Sequence, residues 1–569
     1  MPALHMRQKI VALALLCLSL PASALTRPIL EGLDMLAGIR LPALQSAVAD
    51  ALQRPVVKGR ALDYALNVPL RHSLREHGQW MTRDDKPVWR LQYQSTGALS
   101  LSARLMNLQI PAGSILRIAD SQGVVWHEIT DLHQRQSYQS PIVPGASMVL
   151  EMEFANQAAA NRADLHIRGV QHGYRPWRSR ANDTAQTKSG SCNIDTACPL
   201  GDSWPEAIRA TARITVNGTA RCSAVLLNNT ARDGTPLLLT ADHCGLTASN
   251  ADNTVVYWNF ETSSCGGNPD GSLRQNQSGG TLLARRSDPD FALLRLRQNP
   301  PTSFDVYYAG WDSTGDTFNS GVSVHHPNGD EKRISSFNRR PRKDRPLVDG
   351  EPVQSWAVNW EQGVTEPGSS GSGLFDDLGR VVGQLSGGTS SCDNASGTDF
   401  YGRLDFGWTP STDPAEQLRA WLDPIGSGER AIDGLDSTEV RADARSDNYV
   451  LSAAPSRAVP LAVLINDSGL RPLRILSAQA SSGQVEVREG MLFYSAGNAA
   501  VDDIEYQIMD RFGNVSQASA TVTRAEPSQV DSRSLDSLRG GAAGWPIFVL
   551  LGLVGLYGRG RHGRGIRHD

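Results

Sequence analysis

Short segments in which apolar and polar side chains alternate recur along most of this chain, each closed off by Gly, Pro, Asn or Asp. Val88-Trp-Arg-Leu-Gln-Tyr93 and Met148-Val-Leu-Glu-Met-Glu-Phe154 have the period of two expected of half-buried strands, and Pro111-Ala-Gly113 is a turn signal between such segments. The pattern predicts a mostly β unit over residues 25–188, after a short helical lead. Residues 189–437 continue with short strands broken by Gly, Asn and Asp, the signature of an all-β barrel or sandwich. Asp413 to Leu422 reads as a helix placed to close that unit. A third β-rich unit is predicted over 445–524, with Val463-Leu-Ile-Asn-Asp-Ser-Gly469 and the alternating Ala518 to Val522.

The two ends break the alternation. Arg7 and Lys9 precede an apolar stretch from Ile10 to Leu20, and Ala22-Ser23-Ala24 is a small-residue cleavage site, so residues 1–24 read as a signal peptide cut after Ala24. The apolar stretch is too short to span a bilayer. Residues 525–539 read as a polar linker, and 540–569 hold Gly540-Gly541, an apolar run from Ala542 to Tyr557, and Arg559, Arg561, Arg564 and Arg567. As a helix that run is roughly 24 Å long against a hydrocarbon core of about 30 Å, short but insertable with its basic flank inward. A transmembrane helix, transient or permanent, is the expectation.

A chain of 569 residues exceeds one core, and about 150 residues per unit gives three or four. With 55 basic and 59 acidic residues, no global field argues for nucleic acid as partner. Seven cysteines are present; Cys17 lies in the leader. Cys192, Cys198, Cys222, Cys244, Cys265 and Cys392 form an even set that reads as a disulfide framework in an oxidising compartment. No pair has CxxC spacing, so zinc is disfavoured, and neither metal nor cofactor is expected.

Three fragments carry chemistry. Thr365-Glu-Pro-Gly-Ser-Ser-Gly-Ser-Gly-Leu374 sets Ser370 between Gly368 and Gly371, where the chain can turn sharply and the N–H groups of Gly368 and Ser370 can converge on an oxyanion. Leu238-Leu-Thr-Ala-Asp-His-Cys244 ends an apolar strand on His243, a candidate base. Ser287-Asp-Pro-Asp-Phe-Ala-Leu-Leu-Arg-Leu296 sets Asp290 directly before another strand, with Asp288 as the neighbouring alternative.

These fragments follow the chain order His, Asp, Ser of chymotrypsin-like enzymes. Over about 245 residues the chain resembles the lysyl endopeptidases, through Ser191-Cys-Asn-Ile-Asp195, Val256-Tyr-Trp-Asn259, His325-His-Pro-Asn328 with Glu331-Lys-Arg-Ile-Ser335, and Tyr401-Gly-Arg403. The resemblance implies an all-β, chymotrypsin-like double β-barrel flanked by a β-rich propeptide and a small β-sandwich. It implies a serine endopeptidase acting through an acyl-enzyme, with catalytic His243, Asp290 and Ser370, and bridges Cys192–Cys392, Cys198–Cys265 and Cys222–Cys244. A trypsin-like pocket has an aspartate six residues before the nucleophile; here that place is Val364. The family's lysine-binding carboxylate corresponds to Asp399 in Thr398-Asp-Phe-Tyr-Gly-Arg403. His325-His326 is a structural segment in the family. Ser386, in Gly383-Gln-Leu-Ser-Gly-Gly388, departs from the family's histidine.

Family chains begin after a lysine just ahead of the Cys-Asn-Ile-Asp run, which points to self-cleavage between Lys188 and Ser189. Ser369 precedes the nucleophile, so the trypsin-type ion pair from an aspartate there to a new amino terminus is excluded. The chain holds six lysines, only Lys332 and Lys343 beyond position 188, an economy that suits a lysine-cutting enzyme and equally an arginine-favouring genome. Ile508-Met-Asp-Arg-Phe-Gly-Asn514 resembles small cadherin-like, immunoglobulin-fold repeats of bacterial surface proteins. The order Gly-Gly, apolar run, Arg cluster resembles the GlyGly-CTERM sorting signal, which implies a Gram-negative source and a rhomboid-type processing peptidase.

The expected protein is a secreted or cell-surface endopeptidase precursor acting on proteins or peptides after lysine. The alternatives are a protease accepting Arg or both bases, and a catalytically silent surface-binding protein on the same scaffold.

Overall fold

The computed structural model describes residues 30–33, 36–178, 189–438, 442–451, 458–467, 469, 473–488, 490–510 and 514–524. The leader, Lys188, the basic tail with its apolar run, and part of the 508–514 turn lie outside the described residues. Among the described residues, no helix is long and apolar enough to cross a membrane.

Residues 30–178 fold as two sheets around one core. Lys86–Gln94 and Ser147–Glu153 are antiparallel neighbours in a six-stranded sheet, with Leu91 opposite Leu150. A five-stranded sheet built on Ser100–Gln109, Asp164–Gly173 and Ala65–Ser73 faces it. Trp89, Leu91, Tyr93, Leu150, Met152 and Phe154 from the first sheet meet Leu105 and Ile167 from the second. The alternation in these strands predicts one wet face, but their polar positions are buried as well. Arg90 pairs with Glu151 at 2.7 Å, and Arg83 and Arg117 bridge Glu151 to Glu153. Opposite charges satisfy one another there. The short helix Gln45–Gln53 follows a first strand, Ile39–Arg40.

Residues 189–438 form two large, mostly antiparallel β sheets, as the all-β expectation has it. The first, of eight strands, runs Asn276–Ser278, Thr254–Tyr257, Thr211–Val216, Ala220–Leu227, Leu237–Ala241, Phe291–Leu296 and Gly280–Arg286, and Leu62–Asp63 from the N-terminal unit is added on Ala220–Leu227. The second, of ten strands, includes Arg333–Phe337, Gly321–His325, Gly373–Asp376, Val381–Gly388, Thr398–Arg403 and Ser355–Asn359. Leu237-Leu-Leu reads as a continuous apolar run because both of its faces are covered. Leu237 and Leu239 pack between the two sheets with Phe375 and Val381, whereas Leu238 points into the first sheet's own core with Ile214 and Leu294. The predicted helix from Asp413 to Leu422 is broken in two. Asp413 caps a 3-10 turn over Pro414–Glu416, Gln417 is extended, and only Arg419–Leu422 is α-helical. Leu418 and Leu422 are drawn into the inter-sheet core, which overrides continuous helical geometry.

Beyond residue 442, a four-stranded sheet (Asp447–Leu451, Val515–Arg524, Val501–Met509, Arg474–Ala480) packs on a three-stranded one around Tyr494, Ile504, Tyr506 and Val522. Asp447–Leu451 and Val515–Arg524 are parallel neighbours.

Candidate active site

The chemistry-bearing residues meet where the two sheets adjoin. His243 leaves the strand Leu237–Ala241 in one 3-10 turn, Asp242–Cys244, which ends on Gly245 at φ 80°. The bridge Cys222–Cys244 ties this turn to the neighbouring strand. Asp290 immediately precedes Phe291–Leu296, and the pairing of Ala241 with Phe291 brings the two strand ends side by side. His243 Nδ1 is 2.8 Å from Asp290 Oδ2, and the His243 backbone N–H donates to Oδ1 over 3.0 Å. The carboxylate thus holds a hydrogen on Nδ1 and leaves Nε2 as the basic atom. Nε2 is buried and has no hydrogen-bond partner among the described residues. Asp288 instead faces Arg345 at 3.0 Å and the Gln354 backbone N–H at 2.8 Å, so of the two neighbours Asp290 is the one brought to the imidazole.

Ser370 sits on a turn whose glycines adopt positive φ, 95° at Gly368 and 82° at Gly371. The Ser223 N–H donates to the Ser370 carbonyl over 2.8 Å, and the Gly371 N–H donates to the Leu385 carbonyl over 2.8 Å. A Cβ on Gly371 would lie 2.1 Å from Thr240 Oγ1 and 2.8 Å from the Ala241 nitrogen. Only glycine lets this turn press against the strand leading to His243. The N–H groups of Gly368 and Ser370 donate to no protein acceptor among the described residues, so both remain available for a developing oxyanion.

Asp399 is fully buried, on the strand Thr398–Arg403. Its Oδ2 accepts from Trp360 Nε1 at 2.7 Å, Thr365 Oγ1 at 2.7 Å and Ser390 Oγ at 2.5 Å, while Oδ1 accepts the Ser390 N–H at 3.2 Å. Gly388 stands against it, where any Cβ would be 2.2 Å from Oδ1. The remaining approach to Oδ1 is filled by the Lys58 ammonium, 2.8 Å away and also 2.9 Å from Ser390 Oγ. Burial pushes the Lys58 ammonium below the ordinary lysine range, against the pull of Asp399. Sequence reasoning missed Lys58, Trp360, Thr365 and Ser390; the scarcity of lysine in the chain was the only signal for Lys58.

His325 Nδ1 is 2.8 Å from Ser369 Oγ and its Nε2 3.1 Å from Ser335 Oγ, and burial pushes its pKa down to about 3. His326 Nδ1 meets the Asp330 carbonyl at 2.9 Å. Among the described residues, no group of three or more His, Cys, Asp or Glu is arranged to hold a metal. Val364 is buried, and its carbonyl accepts from Ser335 Oγ. Ser386 is buried with an unpartnered hydroxyl. Ser189 donates its hydroxyl to Asp330 Oδ2 over 2.7 Å, and the Gly190 N–H donates to Glu366 Oε2 over 3.0 Å. The three bridges are Cys192–Cys392, Cys198–Cys265 and Cys222–Cys244.

Paired sheets, an imidazole–carboxylate couple and a glycine-flanked serine on an adjoining turn are the parts that a serine protease uses. Residues 186–402 match the family model described as "Lysyl endopeptidase, C-terminal domain". Over 337 residues the chain is 27% identical to the lysyl endopeptidase of Pseudomonas aeruginosa, covering 55% of this chain and 72% of that one. Among solved structures, it is similar to the HtrA-type protease AlgW with a tripeptide (12% identity, TM-score 0.27, 58% of this chain and 99% of that one). It is also similar to the secreted serine protease VesC from Vibrio cholerae (10% identity, TM-score 0.26, 57% and 71%).

Proposed function

We propose that this protein is a secreted serine endopeptidase that cuts on the carboxyl side of lysine through a Ser370–His243–Asp290 triad. Ser370 Oγ attacks the scissile carbonyl and passes its proton to His243 Nε2, and Asp290 stabilises the imidazolium through Nδ1. The Gly368 and Ser370 amides receive the oxyanion. His243 then protonates the leaving amine, and water hydrolyses the acyl-enzyme with His243 again as base. No cofactor enters these steps.

The observation that carries the specificity is the buried Asp399 with a lysine ammonium already against it. Three donors occupy Oδ2, so one carboxylate oxygen and Ser390 Oγ face the incoming cation. That suits the compact point charge of lysine, whereas the flat fork of arginine is best met by two free oxygens. Three disulfides accord with export to an oxidising compartment. Residues 1–24 then serve as leader, residues 25–188 as propeptide removed after Lys188, and the tail as a membrane-directed sorting segment.

A fluorophosphonate tests the enzymatic reading against a silent binding protein. It labels Ser370 in the released enzyme and fails on Ser370→Ala; absence of label at Ser370 contradicts the proposal.

A further inference from the structure

The lysine in the Asp399 pocket belongs to the N-terminal unit, 341 residues away in sequence. It is brought there by a docked surface. Leu62–Asp63 pairs antiparallel with Ala220–Arg221. Two buried arginines of the catalytic unit donate back across the seam, Arg213 to the Trp177 carbonyl at 2.9 Å and Arg221 to the Pro176 carbonyl at 2.8 Å. Arg221 also lies 4.1 Å from the centre of the Tyr64 ring. Tyr64, Ile142 and Trp177 share one apolar cluster with Tyr257, Phe260 and Leu273. None of these contacts depends on the covalent link through 179–188.

The manner of Lys58's entry matters as much as its partner. Val57-Lys-Gly-Arg60 forms a turn, with Gly59 at φ 90°, and not an extended strand. A Cβ at Gly59 would lie 2.7 Å from Val348 Cγ1, so only glycine permits the turn to seat this closely. Gly59 lines a cavity of about 110 Å³ together with His243 and Asp290. Arg60 then clamps the far side of the turn on Asp349, with bonds of 2.7 and 2.6 Å. That exposed pair adds orientation more than energy.

We infer that the N-terminal unit is a built-in, lysine-bearing inhibitor: Lys58 fills the substrate lysine's pocket on an uncleavable turn, so cutting the connecting segment leaves the site blocked until the unit departs. This rests on the reading of Asp399 as the lysine pocket. It makes activation two events, a cut and a release, because the docked surface keeps Lys58 at high effective concentration.

The test uses the full chain carrying Lys188→Gln, so that the two units stay joined, and two probes. One is a small uncharged fluorophosphonate; the other is a phosphonate ester bearing an aminobutyl side chain that must enter the pocket. Labelling of Ser370 by the aminobutyl probe is expected to rise at least tenfold in Lys58→Ala, and likewise in Lys58→Met, which preserves side-chain bulk. Wild-type chain cut after Lys188 is expected to elute as a complex that still excludes this probe. Equal labelling with and without Lys58, in chains whose released enzyme reacts with both probes, overturns the inhibitor and leaves the peptidase standing. Rapid scission between Lys58 and Gly59 also overturns it, by making the segment a substrate. Failure of the fluorophosphonate on released enzyme removes the peptidase reading and the inhibitor with it.

Discussion

The backbone N–H of Ser223 donates to the carbonyl of Ser370 over 2.8 Å, one residue from the bridge Cys222–Cys244 that fixes the turn carrying His243. One strand therefore sets the position of both Ser370 and His243. Opening the bridge with Cys222→Ser and Cys244→Ser releases a closure of 22 residues in sequence, worth about 3 kcal/mol. The double variant is expected to melt several degrees lower in calorimetry, and to lose turnover even at temperatures where it remains folded.

Gly371→Ala tests the same relationship from the other side. At φ 82°, with Thr240 Oγ1 at 2.1 Å from the added carbon, the turn must move away from the strand. A positive-φ alanine alone costs roughly 1–2 kcal/mol. Acylation by a small active ester should fall at least tenfold, with a lowered melting temperature.

Ser370→Ala and His243→Ala are each expected to reduce kcat on the order of 10⁶-fold, and the double variant little further, because triad members act as a unit. Multiplicative losses in the double variant would contradict the assignment.

These residues were legible because each lies at a strand end or on a turn with its own local signature. His243 closes an apolar strand, Asp290 opens one, and Ser370 is bracketed by glycines. Asp399 has no such signature and was reached only through resemblance. What makes it a pocket is contributed by Trp360, Thr365 and Ser390 from separate segments, and by Lys58 from another unit. No local pattern encodes such contacts. The alternation around Arg90 and Glu151 predicted a solvated face for the same reason: a period of two distinguishes the faces of a strand without saying what covers the polar one.

Burial, reinforced by neighbouring Asp330, pushes the Glu331 carboxyl up to about 7. Its Oε1 accepts the Gly271 N–H while Oε2 is buried without a hydrogen bond. A folded pKa above the unfolded one stabilises the fold fully below about 4.5, and that contribution is lost as pH rises through about 7. Melting temperature followed from pH 4.5 to 8 should therefore fall more steeply in the wild type than in Glu331→Gln. Parallel curves would show that Glu331 titrates alike in the folded and unfolded chain.

Processing between Lys188 and Ser189 predicts a mature chain whose Edman sequence begins at Ser189. It also predicts a Ser370→Ala precursor that keeps its N-terminal unit until active enzyme is added. A different first residue, or normal processing of isolated Ser370→Ala, would rule out self-cleavage there.

Asp399→Asn removes the carboxylate proposed to meet the substrate ammonium and leaves the proposed triad untouched. The kcat/KM for peptides with lysine before the scissile bond is expected to fall about 10²- to 10³-fold, in line with roughly 3–5 kcal/mol for an uncompensated buried charge. Hydrolysis of a small uncharged ester should change less than about threefold. Equal losses on both substrates would move Asp399 out of the pocket.

The measurement that bears most directly on the account is digestion of a peptide library by the released enzyme, with every new terminus read by mass spectrometry. Cuts are expected after lysine, with arginine disfavoured by at least tenfold, and none with Ser370→Ala. Cleavage indifferent to lysine, or cleavage that survives Ser370→Ala, would contradict it.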